Sequence, residues 1–102
     1  MKILILGDVM GASGRNVINK KLPGLIKSLN TDFVIVNGEN AADDGRGITK
    51  EIAEKFFEKG VDVITSGNHI WDKAETTNYI DIENRLLRPA NLAEGSPGRG
   101  CE

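Results

Sequence analysis

The chain has 102 residues, 39% apolar and 27% charged, enough for one compact domain and too apolar for a disordered segment. Thirteen basic residues against fifteen acidic ones, with no basic block, exclude an extended nucleic acid as the expected partner. The N-terminal apolar run is too short for a signal peptide or membrane span and Cys101 has no partner for a disulfide, so the sequence predicts a cytoplasmic protein without membrane contact.

"KILILGD" opens the chain as a continuous apolar run stopped by Gly-Asp, the pattern of a parallel strand buried on both faces. Ser13 is the predicted cap of a helix whose apolar positions Ile18, Leu22, Leu25 and Leu29 share one face, with a kink or break at Pro23-Gly24. "DFVIVNGEN" repeats the strand design, with Phe33 to Val36 as the run. Thr49 then caps a second helix with Glu51 in its first turn, an apolar face of Ile52, Ala53, Phe56 and Phe57, and Gly60 as a left-handed stop. "VDVITSGN" is the third strand, and Asp72 is the predicted cap of a third helix to about Asn84. "RPANLAEGSPGRG" follows as a loop-rich tail over 85–102, leading toward a strand that the sequence does not reach.

This alternation predicts an α/β fold, a parallel-sheet βαβαβα arrangement with right-handed crossovers, whose ligands gather outside the carboxyl ends of the strands. Asp8 follows the first strand, Glu39 and Asn40 the second, and Asn68 and His69 the third, so residues about thirty positions apart in sequence should meet on one rim. Each has a plainer explanation when taken singly. Asp8 could accept hydrogen bonds from its own turn, Glu39-Asn40 could be a solvated loop, Asn68 could supply a turn, and a single histidine is more often structural than catalytic. Four such choices at three successive strand ends are harder to explain as turn chemistry. Oxygen donors with one imidazole suit manganese, iron(II), magnesium or zinc, and two such ions could clamp the attacking and leaving oxygens of a phosphoryl group. Glycines 7, 11 and 14 match neither the dinucleotide-binding nor the P-loop spacing, and no nucleophilic triad can be assembled.

Taken together, "GDVMGASGR", "VNGENAADDGRGIT", "GVDVITSGNHIWD" and "RPAN" with "SPGRG" resemble the YmdB-like branch of the calcineurin-like metallophosphoesterases from Met1 to Gly100. The resemblance implies a layered metallophosphoesterase fold and a dinuclear site of two divalent transition metals, iron or manganese first and zinc or magnesium as alternatives. It also implies hydrolysis of a small phosphodiester such as 2′,3′-cyclic AMP. By the same resemblance Asp8 and Asn40 are implied at the first metal, Glu39 as the bridging carboxylate, Asn68 at the second metal, and His69 as proton donor to the leaving group. Met10 stands where the wider superfamily has a histidine, as in this branch. Family members take three further histidine ligands from later in the chain, whereas His69 is the only histidine here. Residues 1–102 are therefore expected to be the N-terminal portion of one such domain, apparently truncated and inactive alone. The competing expectations are a non-catalytic nucleotide- or partner-binding module and a truncated product without function. An open last strand would invite association of two copies.

Overall fold

The computed structural model describes residues 1–101; Glu102, the end of the predicted tail, lies outside them. Three parallel strands, β1 (Ile3–Leu6), β2 (Phe33–Asn37) and β3 (Val63–Thr65), form a sheet in the order β1-β2-β3. Between them run α1 (Gly11–Leu29) and α2 (Lys50–Glu58); a 3₁₀ turn (Asn68–Trp71) and α3 (Ala74–Ile82) follow β3. The βαβαβα order expected from the sequence is the one observed.

The core fills the space between the helices and one face of the sheet. Val34, Val36 and Ile64 point into it from the strands, Ile18 and Leu22 from α1, Ala53 and Phe56 from α2, and Tyr79 and Ile80 from α3. Burial of each large apolar side chain contributes roughly 1.5–3 kcal/mol. The register pairs Val36 with Leu6 and Ile64, so these alternate residues share the covered face. Thr76, fully buried on α3, gives its hydroxyl to the carbonyl of Ile48 and ties that helix to the loop ahead of α2.

Several local expectations are corrected. β1 is not buried on both faces: Leu4 and Leu6 are half-buried, while Ile3 and Ile5 are 52% and 69% exposed, because the helices cover only one side of the sheet. α1 starts at Gly11 with Met10 in the cap position, so Ser13 lies inside the helix; the Gly11 N–H is satisfied by the Asn40 carbonyl instead of a capping hydroxyl. The helix also runs through Pro23 unbroken. Pro23 and Gly24 lie on its exposed side, where water can replace the lost hydrogen bond. Asp72 does not cap α3: the 3₁₀ turn occupies the residues before it, and the helix begins only at Ala74, after Lys73.

Other features stand as read. Thr49 accepts from the Ile52 N–H at 3.2 Å, and Gly60 stops α2 at φ +108 with the Val61 N–H reaching back to Phe56. The tail has no helix or extended strand, yet it is not loose. Leu86 lies fully buried beside Ile64 in a parallel bridge, and Leu87 bridges in turn to Arg99, so the side of the sheet beyond β3 is partly paired and β1 is its open edge. No helix among the described residues is long and apolar enough to cross a membrane.

Candidate functional site

Each strand ends by turning sharply at the same rim. After β1 the chain enters the left-handed region at Asp8, φ +44, an uncommon conformation for a residue with a side chain. The next N–H, Val9, donates to the carbonyl of Asn37 at 3.2 Å, which brings the ends of β1 and β2 together. At the end of β2 the Asn37 amide oxygen accepts from the Glu39 N–H at 3.2 Å, while its amide nitrogen donates to Thr65 at 3.3 Å. One asparagine thus shapes the turn that carries Glu39 and joins it to β3.

Asn40 is the centre of the arrangement. Its amide nitrogen donates to an Asp8 carboxylate oxygen at 2.7 Å, and its amide oxygen lies 3.0 Å from His69 Nδ1. With the oxygen on that side, Nδ1 must carry the proton, a tautomer assigned from the hydrogen-bond pattern, and Nε2 remains for other work. The Glu39 carboxylate stands 3.9 Å from the same Nδ1. Residues from three strand ends therefore form one polar chain, Asp8 to Asn40 to His69, with Glu39 beside it. Asn68, the remaining expected member, is exposed on the first residue of the 3₁₀ turn and bonds to none of the others.

Two glycines make this approach feasible. A Cβ at Gly67 would run into the Glu39 carboxylate, so only glycine lets that side chain lie against the end of β3. Gly47, at φ +76, donates to the Glu39 carbonyl, and a Cβ there would meet the His69 carbonyl at 2.8 Å. The 41–47 loop is clamped from outside. Arg15 donates to the Ala41 carbonyl at 2.7 Å and to Asp43 at 2.6 Å, and Lys73 pairs with Asp44 at 2.7 Å. The Lys73 hydrogen bond, with help from the Arg46 N–H, holds the Asp44 carboxyl below its ordinary range. Asn37, Gly47, Gly67 and Arg15 had no signal in the sequence beyond turn punctuation and one surface charge.

No three His, Cys, Asp or Glu side chains among the described residues converge into a metal-holding group. The hard donors near one another are the carboxylates of Asp8 and Glu39 and the amide of Asn40, a set that matches part of the coordination demand of a divalent cation. The cradle at Gly67 places the Glu39 carboxylate there without a covering side chain. A cleft of about 600 Å³ lies elsewhere, behind the 41–49 loop and between α1 and α2; Arg15, Asn19, Asp43, Thr49, Lys55 and Phe56 are among its walls, whereas Asp8, Glu39, Asn40, Asn68 and His69 are not.

Residues 4–102 match the family model described as YmdB-like protein. A Bacillus subtilis (strain 168) protein named 2′,3′-cyclic-nucleotide 2′-phosphodiesterase is 46% identical over 100 residues, covering 98% of this chain and 38% of its own length. A Mycoplasma pneumoniae protein named putative phosphatase/phosphodiesterase is 39% identical over 92 residues, covering 90% of this chain and 32% of its own. Among solved structures, a hypothetical protein from Thermus thermophilus superposes on 98% of this chain with a TM-score of 0.89 and 37% identity, using 38% of that chain. A structure described as a novel phosphatase from Mycoplasma pneumoniae gives a TM-score of 0.88 at 36% identity. The chain spans under two fifths of the length of these relatives.

Proposed function

We propose that this chain, which belongs to the YmdB-like family, is the N-terminal portion of a metallophosphoesterase domain and supplies the first half of a dinuclear site for small phosphodiesters of the 2′,3′-cyclic nucleotide type. The single observation that carries the reading is the Asn40 bridge from Asp8 to His69 with Glu39 alongside, drawn from the ends of three adjacent parallel strands. Support comes also from the B. subtilis relative's name.

In this reading Asp8, Glu39, Asn40 and Asn68 hold divalent ions, iron or manganese before zinc or magnesium. The bound ions would supply charge stabilisation of the phosphoryl oxygens and a more acidic water. His69, with its Nδ1–H turned to Asn40, presents Nε2 toward the departing ester oxygen, to which the doubly protonated ring would give its Nε2 proton, and the Glu39 carboxylate stands 3.9 Å from Nδ1. Asn40 orients both Asp8 and His69, so its loss should affect each. Nothing else in the 102 residues offers a second imidazole, which leaves the ions with oxygen and water ligands and predicts weak binding.

The test is manganese binding by the chain together with 2′,3′-cyclic AMP hydrolysis. Weak binding that falls at least about tenfold in Asp8→Ala, with hydrolysis no faster than manganese alone, is expected. A robust hydrolytic rate abolished by Asp8→Ala would overturn the half-site, and binding indifferent to Asp8 would overturn the site itself.

A further inference from the structure

The cleft behind the 41–49 loop shares no wall with the rim, and cations from three elements line it. Arg15 stands on α1, Lys55 on α2 and Lys73 just ahead of α3. Two of them are engaged, Arg15 Nη2 with Asp43 at 2.6 Å and Lys73 with Asp44 at 2.7 Å. The partners are unequally held. The Arg15 and Lys73 side chains are only 21% and 26% exposed, whereas those of Asp43 and Asp44 are 85% and 55% exposed. The bases therefore stay in the wall while the carboxylates can swing into water, and ion pairs so open to solvent hold weakly.

Lys55 has no partner among the described residues, although Glu51 lies one turn before it on the same wall and the neighbouring Lys50 and Glu54 do pair, at 3.9 Å. Asn19, on the α1 side, has a buried amide oxygen that accepts from nothing. The floor is apolar, with Ala42 and Phe56 buried beneath it, and the volume is that of a small-molecule site. A ligand with several anionic oxygens matches these walls. A phosphomonoester, with three terminal oxygens and a charge of about −1.5 to −2 at pH 7, can engage Arg15 Nη2, Lys55 and Lys73 together, whereas a cyclic diester has a single negative charge to offer. A sugar hydroxyl on such an ester can donate to Asn19 once that amide turns toward it. Glu51, the remaining acid of the wall, is exposed and free to turn outward as Asp43 and Asp44 do.

We propose that this cleft is a second binding site, for a phosphomonoester dianion, and that filling it loosens the loop that follows Glu39 and Asn40. Asp43 and Asp44 sit in a turn closed by the Gly45 N–H on the Ala42 carbonyl, and the Ala42 N–H reaches Gly47, whose own N–H donates to Glu39. Their ion pairs fasten that turn to α1 and to Lys73. An anion that takes over Arg15 Nη2 and Lys73 unfastens it, while Arg15 Nη1 keeps the Ala41 carbonyl. A filled cleft and a metal-bound rim then oppose one another, and the coupling is reciprocal. One consequence rests on the half-site reading above: the product of phosphodiester hydrolysis is a phosphomonoester, so the cleft answers to product and not to substrate.

The test uses the 102-residue chain in EDTA, without metal, at constant ionic strength. Inorganic phosphate should shift the amide NMR signals of Arg15, Asn19, Lys55 and Lys73 together, and it should speed hydrogen exchange at Ala42 and Gly45. Lys55→Ala removes no contact from the loop or the rim and should weaken phosphate binding at least about fivefold. Shifts that chloride reproduces, or that ignore Lys55→Ala, would overturn the site; binding that leaves loop exchange unchanged would overturn the coupling. Adenosine 3′-monophosphate and 2′,3′-cyclic AMP then separate the sources. Tighter binding of the monophosphate than of phosphate makes a nucleotide the ligand, and equal affinity makes it free phosphate. A cyclic diester that binds as well as the monoester would overturn the proposal of a dianion site. A manganese titration that fails while phosphate still binds sinks the half-site and leaves the cleft standing, and the opposite pair of results does the reverse.

Discussion

Beneath the helices Phe56, Leu22 and Ile64 are held by shape and exclusion of water, whereas at the rim Asp8, Asn40 and His69 are held by single hydrogen bonds and by the absence of a Cβ at Gly67. The core has many contacts that resist one change together; the rim has few, each with one geometry. Stability and chemistry should therefore come apart under mutation. A core truncation should cost folding free energy and spare the site in molecules that remain folded, and a rim substitution should do the reverse.

The largest expected effect is Phe56→Ala, which removes a fully buried ring and should cost about 3–5 kcal/mol in denaturant unfolding. The folded fraction should keep the Nδ1-protonated His69 seen by nitrogen NMR; loss of that tautomer in folded molecules would join the two regions that the comparison separates. Next is Gly67→Ala. The added methyl must displace the Glu39 carboxylate, at a cost of about 1–3 kcal/mol, while manganese binding should vanish. Retained binding with ordinary stability would show that Glu39 has slack there.

The smallest effect concerns the clamp outside the rim. Lys73 and the Arg46 N–H depress the folded-state pKa of Asp44, so their contribution is present above the ordinary carboxylate value and is lost as pH falls through the depressed one. The pair is exposed and its effect on global stability should be slight. Acid should loosen the 41–47 loop before the core, which amide exchange across acidic pH would show; Lys73→Ala should abolish that early step.

Much of this architecture was legible in the chain. Short apolar runs closed by Gly-Asp, Asn-Gly and Gly-Asn gave the strands, Thr49 and Gly60 bounded α2, and the spacing of Asp8, Glu39-Asn40 and His69 placed them at successive strand ends. Capping was less legible. Ser13 and Asp72 have the right side chains for caps, but the Asn40 carbonyl and the 3₁₀ turn supply or displace those roles from residues distant in sequence or in an unforeseen conformation. Likewise, Asn37 acts on Glu39 two positions away and on Thr65 across the sheet, while Gly67 and Arg15 act on Glu39 and Asp43, each 28 positions away. Periodicity carries no information on such pairs. The exposure of Ile3 and Ile5 was also hidden, since a continuous apolar run implies two covers and only one is present in these residues.

The claim that the three strand ends make one cation-binding site is tested most directly by a manganese titration followed by amide NMR. Paramagnetic broadening should appear first at Asp8, Glu39, Asn40 and His69, and Asp8→Ala should remove it. Broadening that begins at Asp43, Asp44 or the acidic residues of α2, or that ignores Asp8→Ala, would contradict the account.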